Sequence, residues 1–195
     1  GHGGSDCGTY NTINGVTYYE RDINLKIAYY CKEELDKYSG ITVYMARTDN
    51  RTEWSSAQSV ELASKVGADV MVSLHVNSAG PTARGALVIV PNSNYRPDLG
   101  QIGGELGKVI LSKLSELGLH NRGNLIQGSK DNTLYPDGSL ADYYSVCRRS
   151  KLAGFPGIII EHAFLSNPDE AAKYLTSDTM LQKLGVADAT AIAQY

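Results

Sequence analysis

The chain has 195 residues, 42% of them hydrophobic and 20% charged, which suits one folded domain with its own core. Its net charge is −3 with no long basic run, which argues against a nucleic-acid partner, since phosphate binding needs a positive stripe. No apolar run is long enough to cross a bilayer, and no signal peptide is visible, so any export signal lies outside this sequence.

The chain opens with GHGGSDCG, a histidine among glycines. Glycine lets a loop turn tightly and approach a neighbour closely. His2 reads either as part of a loose end or tag remnant, or as one ligand of a metal site with partners further on. From Glu20, apolar residues at Ile23, Ile27, Cys31 and Leu35 form a helical stripe that stops near Ser39-Gly40. The β-branched stretch ITVYMART, Ile41 to Thr48, predicts a strand. Ser55 to Val66 predicts a helix. The apolar runs VMVSLHV from Val70 and GALVIV from Gly85 predict strands, with a helix from about Leu99 to Leu117 after them.

Asn124 to Ser145 carries turn signals at Gly128, Asp131-Asn132 and Pro136-Asp137-Gly138. It reads as a long loop or short hairpin, the kind of segment that often binds a ligand or a gating partner. GIIIEHAF from Gly157 is the clearest buried strand. Asn167, Pro168 and Glu170 then supply a helix cap, a first-turn proline and a capping-box partner. A last helix fills Ser177 to Ala193. Apolar strands alternating with helices predict a single α/β domain over residues 1–195. Its sheet is expected to be largely parallel and twisted, with helices on both faces. In such sheets the working residues lie past the carboxyl ends of the strands, where His75 and Glu161 fall.

Cys7, Cys31 and Cys147 form no C-x-x-C pair and their odd number excludes a full disulfide framework. They read as free thiols, with Cys7 also a candidate soft ligand beside His2.

Two histidines and a carboxylate are a recurrent catalytic zinc set that leaves a coordination position open. His2, Glu20 and His75 offer that set, and Glu161 a further carboxylate for proton transfer. No H-E-x-x-H helix is present, so these ligands come from separated segments. Each residue has an alternative. Glu20 fits a capping box with Thr17, His75 a core histidine, and Glu161 a partner for Arg148 or Arg149.

GHGGSDCG, YYERDINLKIAYYCKEEL, YMARTD, GADVMVSLHVNS and GIIIEHAFLSNPDE occur in that order, and LGLHNRGN lies between the last two. Together they resemble the zinc-dependent N-acetylmuramoyl-L-alanine amidases, the group of bacterial autolysins and phage endolysins, over nearly the whole chain. The resemblance implies one catalytic Zn2+ held by His2, Glu20 and His75. It also implies hydrolysis of the amide between N-acetylmuramic acid and L-alanine in peptidoglycan. The mechanism expected from that resemblance is attack by a zinc-activated water, with Glu161 as general base and then acid. It further implies an extracellular or wall location, with flanking wall-binding modules or a regulatory partner as open possibilities.

The family strand that precedes GHGG is missing before Gly1. Ser59, Ser64 and Ala163 also depart from the pattern without touching the four chemical residues. Asn77, Arg84 and Arg122 are candidates for holding substrate, with Arg47 a further arginine that could meet stem-peptide carboxylates. His162 points away from Glu161 by strand alternation and reads as structural. The rivals are another zinc amidohydrolase, such as a carboxypeptidase, and a wall-binding module without activity.

Overall fold

Residues 1–195 are described by a computed structural model. After the glycine loop, β1 (Tyr10–Ile13) pairs with β2 (Val16–Tyr19), which runs straight into α1 (Glu20–Leu35). The turn residues Asn14 and Gly15 have φ of 50° and 80°, the left-handed pair that a two-residue type I′ hairpin needs. Next come α2 (Ser56–Lys65), β3 (Met71–Asn77), β4 (Ala86–Ile89), α3 (Pro97–Glu116) and β5 (Asn121–Leu125). The chain ends with α4 (Ser145–Ala153), β6 (Gly157–Phe164), α5 (Pro168–Tyr174) and α6 (Asp178–Gln194).

The main sheet has the order β3-β6-β4-β5. β3 pairs with β6 in parallel and β4 pairs with β5 in parallel, but β4 runs against β6. The sheet is therefore mixed. The reason lies in residues 78–85 between β3 and β4, too short for the helical crossover that a parallel connection requires. The β4 to β5 connection contains α3 and is parallel, as that rule demands.

Helices cover both faces. Ile158 and Ile160 of β6 join Ile23, Ile27, Ile110 and Leu184 in one core under α1, α3 and α6. Ile159 points the other way and packs with Ile89, Val146 and Cys147 beneath α4. Alternation along β6 therefore puts Glu161 on the α4 face and His162 on the α6 face. His162 is fully buried, its Nε2 2.7 Å from Asp188 of α6 and its Nδ1 2.9 Å from the His75 carbonyl oxygen.

Residues 41–48 are not a strand. Ile41 and Val43 pack against Cys31, Leu35 and Ala189, while a groove of about 630 Å3 separates this segment from β3. Its β-branched residues suit a sheet, but no neighbouring strand supplies the ladder. Residues 126–144 form a long loop whose arms meet in two antiparallel bridges, Gly128 with Asp142 and Leu134 with Leu140. Cys31 and Cys147 are buried free thiols, and Cys7 is free and half-buried. No helix is long and apolar enough to cross a membrane.

Candidate metal centre and active site

Three segments deliver the side chains of a candidate metal cluster. The glycine loop brings His2, the first residue of α1 brings Glu20, and β3 brings His75. Their ligand atoms all lie within 4.8 Å of one another. His2 Nε2 is 3.4 Å from Glu20 Oε2, and His75 Nδ1 is 2.9 Å from Glu20 Oε1. The two imidazoles stand edge to face with centroids 5.0 Å apart. Gly8 shows why the loop is glycine-rich. Its φ is +65°, and a Cβ there would run into Glu20 Oε2 and lie 2.6 Å from His2 Cδ2.

Glu20 is buried, 4% exposed. It is not a capping-box partner of Thr17: the cap of α1 is Tyr19, and no side chain caps that end. Instead the carboxylate accepts from the backbone N–H of Thr9 at 2.9 Å and of Val76 at 3.2 Å. Burial raises its pKa, but the hydrogen bond and charge of His75, the Thr9 N–H and the charge of His2 outweigh that, and the net shift is downward. His75 is shifted down by burial, against the opposing pull of Glu20. An ionised carboxylate beside a neutral imidazole is the protonation state that metal ligation requires. Two imidazoles and a buried carboxylate on a cleft fit a divalent cation of the zinc type. Cys7 stands outside this group, its Sγ directed at the Gly8 carbonyl oxygen at 3.3 Å.

Glu161 sits opposite His75 in the β3–β6 register. Its Oε2 is buried and has no hydrogen-bond partner. Arg148 instead donates to the Asp142 and Tyr143 carbonyls and Arg149 to Ser145 Oγ, so neither neutralises Glu161. Burial, reinforced by the Glu20 charge, pushes its carboxyl up to about 8. A cleft of about 560 Å3 opens beside the cluster, lined by His2, His75, Trp54, Gln58, Met71 and Val146.

The candidate substrate residues are placed less closely. The register shift opposite His75 and Asn77 puts its extra residue on β6, where Glu161 to Phe164 spans three steps against two on β3. The Asn77 side chain turns back onto the Ser78 N–H at 2.8 Å. Arg122 lies over the Phe164 ring, 5.2 Å from its centroid, and donates to the Arg84 carbonyl at 3.1 Å. These three residues share the sheet end that carries Glu161 but do not line the cleft beside His2. Arg47 is engaged inside the fold, donating to the Arg21 carbonyl and to Asn50 Oδ1, each at 2.7 Å. Two contacts to the cluster escaped the sequence reading: Asp6 Oδ2 at 2.6 Å from His2 Nδ1, and Ser73 Oγ at 3.1 Å from His75 Nε2. Ser73 lies two residues before His75 on one strand, a spacing that could have revealed it.

Residues 1–194 match the family model described as N-acetylmuramoyl-L-alanine amidase. Among relatives, the amidase CwlM of Bacillus licheniformis is 26% identical over the whole chain, which spans 65% of that protein. An N-acetylmuramoyl-L-alanine amidase of Clostridium difficile 630 superposes with a TM-score of 0.76 at 26% identity, covering all of this chain and 92% of that one. Cwp6 of Clostridium difficile superposes with a TM-score of 0.83 at 24% identity, and the chain covers 28% of it, a likeness of fold. With a family match over nearly its full length and its motif residues gathered at one sheet end, the chain belongs to the N-acetylmuramoyl-L-alanine amidase family.

Proposed function

We propose that residues 1–195 are one catalytic domain that hydrolyses the amide between N-acetylmuramic acid and L-alanine in peptidoglycan. The observation that carries this reading is Glu161, a carboxyl with a buried unpartnered oxygen, directly across the strand pair from one histidine of a His-Glu-His cluster. The cluster would hold one zinc through His2, Glu20 and His75. Zinc, when bound, supplies a Lewis acid for the amide carbonyl and makes water acidic enough to attack near neutral pH.

The protein's own residues do the rest. Glu20 contributes the single buried negative charge of the cluster, and the Thr9 and Val76 N–H groups fix its two oxygens. Glu161 accepts the proton of the attacking water as the C–O bond forms at the lactyl carbonyl. It then gives that proton to the nitrogen of L-alanine as the C–N bond breaks. Its raised pKa suits an acid; charge neutralisation at Glu20 removes one cause of the rise and suits the base half of the cycle. The cleft beside His2 offers Trp54 as an apolar wall for sugar or peptide. Peptidoglycan as substrate places the site of action at the cell wall.

The test is digestion of purified bacterial wall with and without a zinc chelator. New L-alanine amino termini, no new reducing sugar ends, and loss of release with chelator are expected. Reducing ends without amino termini would identify a glycosidase and reject the reading.

A further inference from the structure

The glycine loop does more than carry His2 to the cluster. Asp6, four residues on, returns its carboxylate to the same imidazole, with Oδ2 2.6 Å from Nδ1. Its other oxygen, Oδ1, accepts from the Gly8 N–H at 3.0 Å. Both oxygens are therefore engaged, one on the ring and one on the backbone that wraps the cluster. A carboxylate only accepts, so the hydrogen of this contact belongs to Nδ1 of His2. That leaves Nε2 as the lone-pair nitrogen, and Nε2 is the atom that faces Glu20 Oε2.

We infer that Asp6 is a positioning residue that fixes the tautomer and orientation of His2 for metal ligation through Nε2. The inference rests on the metal reading proposed above. Carboxylates behind ligating histidines act this way in general: they set the ring's direction and strengthen it as a donor. Asp6 does so from within the loop, so metal affinity and loop closure share one side chain. The other ring has a milder partner, the Ser73 hydroxyl, which either gives or accepts a hydrogen. His2 is the more exposed of the two histidine side chains, at 28% against 19%, and has fewer walls to hold it. It is the ring that needs a charged partner.

An amide in place of the Asp6 carboxylate cannot serve both donors. The two donors meet different oxygens, Gly8 N–H at Oδ1 and His2 Nδ1 at Oδ2, so in Asp6→Asn one of those positions becomes an NH2 group set against an N–H. Either the turn at Gly8 opens or the ring flips to the Nε2–H tautomer, and both disfavour the metal. The experiment measures zinc affinity by competition with a chromogenic chelator in the wild type, Asp6→Asn, Asp6→Ala and Ser5→Ala. The last variant removes the Ser5 hydrogen bond to Glu53, 3.0 Å long, and so loosens the same loop without touching His2. Imidazole nitrogen NMR on the metal-free proteins reports the His2 tautomer.

The expected result is a loss of about 10–100-fold in affinity for both Asp6 variants. Loss of the Nδ1–H signature of His2 should accompany it, with affinity in Ser5→Ala within about twofold of wild type. Equal affinity in all four proteins overturns the role of Asp6 while leaving the metal reading intact. A loss in Ser5→Ala as large as in Asp6→Asn also overturns it, because loop order alone would then explain the effect. No zinc uptake by the wild type overturns the metal reading itself, and this role with it.

Discussion

His75 and Glu161 face each other across two parallel strands, yet they have opposite hydrogen-bonding states. His75 has a partner on each ring nitrogen, Glu20 on one side and Ser73 on the other. Glu161 has a buried oxygen with none. The ring is held in place, as the proposed ligand role needs, and the carboxyl is left free, as the proposed proton-transfer role needs. Replacing Glu161 by Gln or Ala should lower turnover on wall by about 10²–10⁴-fold, the usual worth of a general acid–base group. Zinc content should stay at the wild-type level, since Glu161 is not in the ligand cluster. Amide release within tenfold of wild type in Glu161→Ala would remove it from the chemistry.

The same carboxyl gives the metal-free protein a pH signature. Its pKa is about 8 in the folded chain against an ordinary value of 4.5. A raised folded pKa means that the native state binds the proton more tightly than the unfolded chain. The resulting stability is complete below pH 4.5 and is lost as pH climbs to about 8. Glu161→Gln has no proton to lose. With chelator present, its stability advantage over wild type should widen across that window, by at most about 1.4 kcal/mol per pH unit. Urea unfolding at pH 5, 6, 7 and 8 reads it directly, and a gap independent of pH would show that Glu161 is not the buried acid described.

Much of this architecture was legible because its signals are local. The stripe at Ile23, Ile27, Cys31 and Leu35 gave α1, and three consecutive isoleucines gave β6, whose end carries Glu161. The four chemical residues were found as motif members, and folding brings His2, Glu20 and His75 within ligand distance of one another and sets Glu161 across from His75. What failed was whatever depends on a partner. Ile41 to Thr48 has strand-forming residues, but a strand also needs a neighbour, and a groove lies where one would pair. The antiparallel placement of β4 was hidden in the length of the segment before it rather than in its residues. The β1–β2 hairpin also has a local signal, for Asn14-Gly15 is the strongest short hairpin signal a sequence offers. Asp6 and Ser73 are ordinary polar residues until the ring beside them is known.

Gly8 gives a prediction that separates backbone strain from damage to the cluster. Gly8 and Gly15 both have positive φ, at +65° and +80°, so alanine at either position costs about 1–2 kcal/mol of strain. A Cβ at Gly15 meets nothing within 4 Å, whereas at Gly8 it meets both Glu20 and His2. Gly15→Ala should therefore lower thermal stability and leave zinc affinity near wild type. Gly8→Ala should lower zinc affinity by at least about tenfold, in the range seen when a ligand's support is disturbed. Competition titration of the two variants checks this, and equal affinities would mean that the loop yields without moving the ligands.

The long loop of residues 126–144 is anchored by a charge that has no contact with solvent. Lys151 of α4 is 0% exposed. Its Nζ donates to the carbonyl and the Oδ1 of Asn92, each at 2.7 Å, and lies 3.1 Å from Asp142 Oδ2. Asp142 also accepts from the Tyr135 hydroxyl at 2.6 Å and from the Asn92 N–H at 2.8 Å. One side chain thus ties α4, the end of β4 and both arms of the loop. Such a pair adds little over a well-packed apolar substitute, but breaking it from one side strands a buried charge. Lys151→Met should cost about 3–5 kcal/mol in urea unfolding. The double variant Lys151→Met with Asp142→Asn should recover part of that loss, because the stranded carboxylate is gone and the Asn amide oxygen still accepts. Additive losses in the double variant would mean that the two residues act independently and that the loop is held by its bridges and the Tyr135 packing instead.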